Sequence, residues 1–225
     1  MKPWNLLDSA QVPGNAGELR LYQRGEEFSI KIVGRGELMN SRDHGSEDAL
    51  AEQTCARLTN TSKPRLLIGG LGMGFTLAAA LKHAGDQAIV DVAELLPAVV
   101  EWNKGPLGEQ AGYPLDDART RVHEGDVAGL LKIKQNTYDA ILLDVDNGPE
   151  GLTRKDNDWL YSLAGLNAAF AALRPEGILA VWSAGPAWDF VHRLRKVGFE
   201  VEEVSVRAHG NKGARHIIWF AQRRR

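Results

Sequence analysis

The pattern of apolar and polar residues changes character near residue 60. From Glu18 to Met39, apolar and polar residues alternate in short runs that are interrupted by RGEE and GRGE. Alternation with a period of two is typical of strands buried on one face, and glycine-bearing breaks mark turns. This stretch therefore predicts an antiparallel β hairpin or small meander. His44 to Leu58 then spaces its apolar residues as a helix does, so a linking helix is predicted after the hairpin.

After TSKP the chain carries short, continuous apolar runs separated by segments of helix length. The runs are RLLIGG, QAIVDVAE, TRVHEGD, YDAILLDVD, GILAVWS and HIIWFAQ. Continuous hydrophobicity indicates strands buried on both faces, as in a parallel sheet covered by helices. The helices between and after these strands are predicted at Thr76–Ala84, Leu96–Asn103, Asp158–Leu173 and Trp188–Val197. The final GFEVEEVSVRAHGNKGARHIIWFAQ predicts an antiparallel strand pair that closes one sheet edge.

These elements predict an α/β fold with two parts. Residues 1–60 form the hairpin and its linking helix, and residues 61–225 form a doubly wound, mostly parallel seven-stranded sheet of the Rossmann-like type. The exposed edge of the hairpin needs cover, which favours a homodimer.

Charge and composition exclude several classes of partner. The 27 Lys and Arg residues nearly balance the 29 Asp and Glu residues, so the chain has no general field that attracts nucleic acid or an anionic membrane. No window approaches the roughly 18 apolar residues of a membrane span, and the polar start lacks a signal-peptide core. One cysteine cannot form an intrachain disulfide. We expect a cytoplasmic protein.

A glycine-rich loop follows the first continuous strand, in LLIGGLGMGFTL at residues 66 to 77. Gly70, Gly72 and Gly74 form a G-x-G-x-G turn between a strand and a helix. Glycine lets the main chain turn sharply and lets a bound molecule approach the backbone closely. The same turn occurs in dinucleotide enzymes, in S-adenosylmethionine enzymes and as a purely structural turn. The loop therefore indicates a ligand without naming it.

Acidic residues follow the next strands, where ligands bind in open α/β sheets. Glu94 has the spacing to accept two hydrogen bonds from a ribose diol, or it is a solvated acid at a helix start. Asp126 is able to accept from an adenine amine, or it is a helix cap. Asp144 and Asp146 leave a buried strand together, which indicates a cation, an amine or a proton between them. Turn chemistry is the alternative for this pair.

The spacing of the glycines favours one class of ligand. Nicotinamide cofactors usually use G-x-G-x-x-G to place a pyrophosphate on the helix end, and here the third glycine comes one residue early. An adenosyl ligand without a pyrophosphate fits better. S-adenosylmethionine and its decarboxylated form meet that description.

Four segments in this order resemble one family. LLIGGLGMG, VAELLPAVVEW, DDARTRVHEGDV and YDAILLDVDNGP, behind a small β hairpin, resemble the spermidine synthase family of aminopropyltransferases, a branch of the class I methyltransferase fold. The resemblance covers roughly residues 18 to 185. It implies that the loop of Gly70, Gly72 and Gly74 holds the nucleoside, that Glu94 binds the ribose and that Asp126 faces the adenine. It also implies a homodimer.

The same resemblance implies that Asp144 deprotonates an attacking amine. The acceptor side differs from the family pattern: Gly72 replaces an Asp, Gly45-Ser46-Glu47 replaces YHE, and the acidic loop is shorter. Glu47, Asp146 and Asn147 are predicted to bind the acceptor. Aminopropyl transfer to an amine is the predicted reaction. Methyl transfer to a small molecule and an inactive nucleoside-binding protein remain alternatives.

The remaining charged residues predict no metal site. The six histidines have no recognisable metal-ligand spacing. A group of cations and imidazoles surrounds the last turn: Arg207, His209, Lys212, Arg215 and His216. These are interpreted as solvated turn residues, with a site for an anionic acceptor as the alternative.

Overall fold

A small antiparallel sheet forms the N-terminal part. The computed structural model describes residues 2–13, 17–58, 61–145, 158–209 and 212–224. The sheet has the order β1-β2-β3-β4, with strands β1 (Asn5–Val12), β2 (Gly17–Arg24), β3 (Glu27–Ile32) and β4 (Gly36–Asn40). It exceeds the predicted hairpin because β1 also pairs with β2. Most of β1 is exposed and its register shifts between Leu6 and Asp8, so its sequence lacks a regular alternation.

Seven strands form the main sheet, in the order β10-β11-β9-β8-β5-β6-β7. They are β5 (Arg65–Gly69), β6 (Ile89–Glu94), β7 (Thr120–Glu124), β8 (Tyr138–Leu143), β9 (Leu173–Ser183), β10 (Phe199–His209) and β11 (Lys212–Arg223). Strands β5 to β9 pair in parallel, whereas β11 is antiparallel to both β9 and β10. The predicted mostly parallel sheet and its antiparallel edge pair are confirmed.

The helices are α1 (Gly45–Arg57), α2 (Phe75–His83), α3 (Pro97–Lys104), α4 (Gly108–Ala111), α5 (Val127–Ile133), α6 (Asp158–Tyr161), α7 (Leu163–Ala172) and α8 (Trp188–Val197). The single helix predicted at Asp158–Leu173 is divided into α6 and α7. Ser162 causes the division, because its hydroxyl accepts from Gly165 N and caps the second helix. Helix α1 packs on α2 and on strands β9 and β10. The domain boundary at residue 60 stays a prediction.

The core has one apolar cluster on each face of the main sheet. On one face, buried residues of the N-terminal sheet and of α1 and α2 join side chains of β5 and β6. On the other face, α5, α7 and α8 cover side chains of β8, β9 and β11. Both faces are therefore covered, and the carboxyl ends of the parallel strands are left as the place for a ligand. Among the described helices, none has the length and apolarity required to cross a bilayer.

Candidate active site

The glycine loop lies directly against the end of strand β8. Gly70, Gly72 and Gly74 have φ values of +89°, +53° and +86°, in the region that favours glycine. A Cβ atom at Gly70 would lie 2.3 Å from the carbonyl oxygen of Asp144. The backbone at Gly70 therefore has no room for a side chain, and the loop and the end of β8 form one continuous surface.

Backbone hydrogen bonds join the carboxyl ends of three strands into one rim. Gly70 N donates to Ala93 O at 2.9 Å, and Asp144 N donates to Gly69 O at 2.9 Å. These bonds connect the ends of β5, β6 and β8. The residues that follow each strand are consequently held at fixed positions around the same cleft.

A large cavity opens above this rim. It measures about 960 Å³, including the part open to solvent, and we name it the donor cavity. Its lining includes five predicted residues: Gly70, Gly72, Glu94, Asp126 and Asp144. Gly74 does not belong to the lining; a Cβ atom there would lie 2.8 Å from Asn103 Oδ1, so its role is to let the chain turn into α2.

The N-terminal sheet forms an apolar wall of the donor cavity. Six of its side chains line the cavity: Val12, Leu19, Ile30, Ile32, Leu38 and Met39. A further contact connects this sheet to the rim side, because Trp102 Nε1 on α3 donates to Asp8 Oδ2 at 2.7 Å. The cavity therefore lies between an apolar sheet and a polar rim, as is usual for small-molecule sites.

Glu94 is a buried acid at the floor of the donor cavity. Its Oε2 accepts from Leu71 N at 2.9 Å and its Oε1 accepts from Leu96 N at 2.9 Å. Burial raises the pKa of Glu94, and these backbone donors oppose the rise. The backbone groups of Gly72 and Leu95 also act as donors toward this carboxylate, so a ligand would share its remaining lone pairs with them.

Asp126 caps a helix and also lines the donor cavity, while its contact with adenine stays a prediction. Its Oδ1 accepts from Ala128 N at 2.8 Å, which caps helix α5. The same residue lines the donor cavity. The cap fixes the carboxylate at the edge of the cavity and leaves its other oxygen for a ligand donor.

A second, smaller cavity adjoins the first, and we name it the acceptor cavity. It measures about 560 Å³, including open solvent, and its walls include Met73, Phe75 and Trp182. Glu47 and Asp144 also line it. Asp144 is shared by both cavities, so a group bound in one meets a group bound in the other beside its carboxylate.

The two acids of the acceptor cavity have pKa values above the ordinary range of carboxyl groups. Burial raises the pKa of Asp144, against the lowering effect of Thr76, whose Oγ1 donates to Asp144 Oδ2 at 2.6 Å. Burial, and then the neighbouring Asp144 carboxylate, raise the pKa of Glu47 to about 7. A bound ammonium group would lower both pKa values, because its positive charge offsets the cost of burying the carboxylates and the repulsion between them.

This raised pKa makes the stability of the free protein depend on pH. The pKa of Glu47 is raised in the folded state, so its contribution is complete below the unfolded value of 4.5 and is lost as the pH rises through about 7. Glu47→Gln should therefore stabilise the free protein at pH 8 by about 1–3 kcal/mol and have little effect near pH 4. Urea unfolding at both pH values measures this.

Glu101→Gln is the matched control, because Glu101 is 65% exposed. It should change the free energy of unfolding by less than about 0.5 kcal/mol at both pH values. An equal effect of Glu47→Gln at pH 4 and pH 8 would contradict the burial of this acid.

Several residues beside the two cavities were not assigned to the site from the sequence. Thr76 holds Asp144, and Asn103 Nδ2 on α3 donates to Gly72 O at 2.8 Å, which fixes the glycine loop. The one hint for Asn103 was a polar residue on the buried face of a predicted helix. Trp182 and His216 come from the far end of the chain and their rings meet at 4.8 Å.

Three side chains of the cationic group at the last turn are described, those of Arg207, Arg215 and His216, and none of the three lines the acceptor cavity. The side chains of His209 and Lys212 lie outside the described part of the chain. Arg207 and Arg215 pair across β10 and β11, and His216 pairs with Val206. Neighbouring residues of a strand face opposite sides, so the two arginines lie on the other face of the sheet from His216. His216 contacts α1, where its Nδ1 lies 3.0 Å from Ser46 Oγ.

Two predicted acceptor residues, Asp146 and Asn147, lie outside the described residues. Within the described ranges, no group of three or more His, Cys, Asp or Glu side chains is arranged to hold a metal ion.

Comparisons with known proteins give matches in sequence and in structure. The sequence model of the family described as "Spermine/spermidine synthase domain" matches residues 53–192. The chain is 27% identical, over 158 residues, to polyamine aminopropyltransferase 1 of Streptomyces coelicolor; the match covers 66% of this chain and 29% of that protein. The chain thus spans less than a third of that relative.

Solved structures share the fold. A spermidine synthase from Thermotoga maritima superposes with a TM-score of 0.77 at 20% identity, covering 96% of this chain and 72% of that one. A spermidine synthase in complex with the transition state analogue AdoDATO gives a TM-score of 0.74 at 19% identity, with the same coverage of 96% and 72%.

Proposed function

Because this chain belongs to the spermine/spermidine synthase family, we propose that it transfers an aminopropyl group from decarboxylated S-adenosylmethionine to an amine. The observation that carries the proposal is the charge of the site. Among the described residues, every ionisable side chain that lines the two cavities is an acid: Glu47, Glu94, Asp126 and Asp144. Such a cleft suits a cationic sulfonium donor next to an ammonium acceptor.

Each side chain has a distinct proposed role. Glu94 accepts from the ribose hydroxyls and Asp126 accepts from the adenine amine, while the loop from Gly70 to Gly74 passes beneath the nucleoside. Glu47 holds the acceptor ammonium group with Asp144. The undescribed Asp146 and Asn147 are proposed to belong to the same acceptor side.

The proposed reaction needs one base and no covalent enzyme intermediate. The acceptor ammonium gives a proton to Asp144, and the freed amine lone pair attacks the carbon next to the sulfonium. The C–N bond forms as the C–S bond breaks. The electron pair of the C–S bond stays on the sulfur and neutralises its positive charge. Methylthioadenosine leaves as a thioether. Asp144 suits this role because its raised pKa favours taking a proton.

The charge of the lining also favours the decarboxylated donor. The carboxylate of intact S-adenosylmethionine would enter a cleft whose described ionisable groups are all acidic. Repulsion at short range in a partly buried site is costly. A related spermidine synthase is bound to the transition state analogue AdoDATO, which supports a donor site in this fold.

Product analysis tests the proposal. The protein is incubated separately with each of the two sulfonium donors and a pool of amines. Methylthioadenosine formed from the decarboxylated donor is the expected result. S-adenosylhomocysteine formed from S-adenosylmethionine would replace the proposal with methyl transfer, and donor binding without either product would favour an inactive nucleoside-binding protein.

Glu94→Gln should weaken the binding of methylthioadenosine by about 10- to 100-fold, because a hydrogen bond to a charged group contributes about 1.5–3 kcal/mol. The glutamine also offers a single acceptor oxygen where the carboxylate offers two. Isothermal titration calorimetry measures the change.

Glu124→Gln is the control, since Glu124 ends the neighbouring strand β7 but is exposed. We expect the wild-type affinity for this variant. Equal affinities of the Glu94 and Glu124 variants would remove the proposed ribose contact.

The homodimer and the cytoplasmic location stay predictions. Leu6 and Leu7 on edge strand β1 are 52% and 42% exposed. An apolar edge strand of this kind favours pairing with a second chain. We propose that a second copy covers this edge.

A further inference from the structure

A line of three side chains connects the acceptor cavity to strand β11. Ser46 Oγ, at the start of α1, donates to Glu47 Oε2 at 2.6 Å. His216 Nδ1, on β11, lies 3.0 Å from the same Ser46 oxygen. Ser46 has no solvent exposure, so water does not substitute for either partner. The hydroxyl of Ser46 is therefore held between a carboxyl group and an imidazole ring.

The chemistry of a hydroxyl restricts the hydrogen positions in this line. Ser46 has one hydrogen, so it donates to one neighbour and accepts from the other. When Glu47 is ionised, Ser46 donates to it and His216 carries its proton on Nδ1. When Glu47 is protonated and donates to Ser46, the serine donates to a bare Nδ1 and the imidazole proton lies on Nε2. The two arrangements differ by one proton.

We propose that Ser46 and His216 are positioning residues that hold Glu47 as an ionised carboxylate facing the acceptor amine. The inference rests on the proposed function for its acceptor, and it adds two residues that have no role in the proposed reaction as described above. His216 with Nδ1–H fixes the serine hydroxyl toward Glu47. The carboxylate then receives one fixed donor on its buried side and offers its remaining lone pairs to an ammonium group.

The surroundings of both groups support this arrangement. Glu47 faces the carboxylate of Asp144, which opposes its ionisation, and the ring of His44, which favours it. His44 itself stacks on Phe75 at 4.1 Å and bonds to Asp48. Burial lowers the pKa of His216, and the edge of Trp182 covers its ring. His216 therefore stays neutral near pH 7, where its tautomer decides whether it donates.

Nitrogen NMR of the free wild-type protein tests the arrangement without any transferase assay. Above the pKa of Glu47, the Nδ1 resonance of His216 should have the shift of a protonated ring nitrogen. Below that pKa, Nδ1 should move to the shift of an unprotonated nitrogen and Nε2 should move the opposite way. Ser46→Ala should abolish this exchange. An unprotonated Nδ1 on both sides of the transition would overturn the proposal.

Kinetics give a second readout. Ser46→Ala removes the hydroxyl donor, so the pKa of Glu47 should rise and the acid limb of kcat/KM should move to higher pH by about one unit. His216→Phe should shift the acid limb of kcat/KM in the same direction but by a smaller amount. His216→Asn keeps a side-chain N–H donor, so its acid limb should lie at the same pH as that of the wild type. A space-filling role for His216 would give the opposite order, with Phe better than Asn.

Two controls separate the possible failures. His192→Phe and Ser205→Ala change exposed residues of α8 and β10 and should leave the pH profile unchanged. If the wild type forms no product with either donor, the kinetic arm fails with the proposed function, whereas the NMR arm still decides the role of His216. If the enzyme is active and the acid limb of kcat/KM stays at its wild-type pH in both Ser46→Ala and His216→Phe, the proposal is overturned.

Discussion

Asp144→Asn is expected to lower the rate of aminopropyl transfer by about 10²- to 10⁴-fold, the usual contribution of a positioned general base. The asparagine keeps an oxygen that accepts from Thr76 Oγ1, as Asp144 does at 2.6 Å, so the local structure should persist. It cannot take a proton from the acceptor. The affinity for methylthioadenosine should change by less than about threefold, because the proposed contact of Asp144 is with the acceptor amine, whereas Glu94 and Asp126 hold the nucleoside.

Single-turnover kinetics with saturating donor and calorimetry with methylthioadenosine measure these two quantities. Asp189→Asn is the matched control, because Asp189 lies exposed in the first turn of α8 and should give wild-type values for both. Full activity of Asp144→Asn would assign the base to another group, and Glu47 also lines the same cavity. Loss of product binding together with activity would instead indicate a damaged fold.

Gly70→Ala is expected to lower the free energy of unfolding by about 3 kcal/mol or more, a large effect for a single methyl group. Two causes combine. The residue has a φ of +89°, and its Cβ would lie 2.3 Å from the carbonyl oxygen of Asp144. Relief of that contact moves the loop away from β8. The affinity for methylthioadenosine should therefore decrease together with the free energy of unfolding. Urea unfolding and calorimetry measure the two effects.

Gly85→Ala separates the two causes. Gly85 has nearly the same φ, +85°, but a Cβ there would meet nothing within 4 Å. Its substitution should cost only the conformational penalty of about 1–2 kcal/mol and leave binding unchanged. The difference between the two variants measures the close approach of the loop to β8. Equal losses in both variants would mean that the loop and β8 are not in tight contact.

The main sheet could be predicted because its central strands carry their own signal. Strand β8 is buried at all six positions, and such strands need continuous apolar runs. Strand β1 has mostly exposed residues and a shift in register, so neither alternation nor continuity marks it. Helix α5 has seven residues, too short for a clear helical period, and was not predicted. Local pattern thus finds the buried elements and misses the short or exposed ones.

The donor side of the site could be predicted for a topological reason. Residues that follow parallel strands meet at one edge of the sheet. Once the strand ends were predicted, Glu94, Asp126 and Asp144 could therefore be placed at the same edge. The acceptor side depends on contacts that the order of the chain does not contain. His216 reaches Ser46 because β11 inserts between β9 and β10 in antiparallel register. Which face a residue of β11 presents is decided by tertiary packing, and sequence alone gives no measure of it.

The apolar wall that the N-terminal sheet contributes has a consequence for how long a guest molecule stays. A nucleoside in the donor cavity would touch Val12 at one end of the chain and Val145 far along it. Release of the nucleoside would then break contacts with both sheets, which should lower its dissociation rate. A bound nucleoside would also link the two sheets, in addition to the hydrogen bond from Trp102 of α3 to Asp8 of β1.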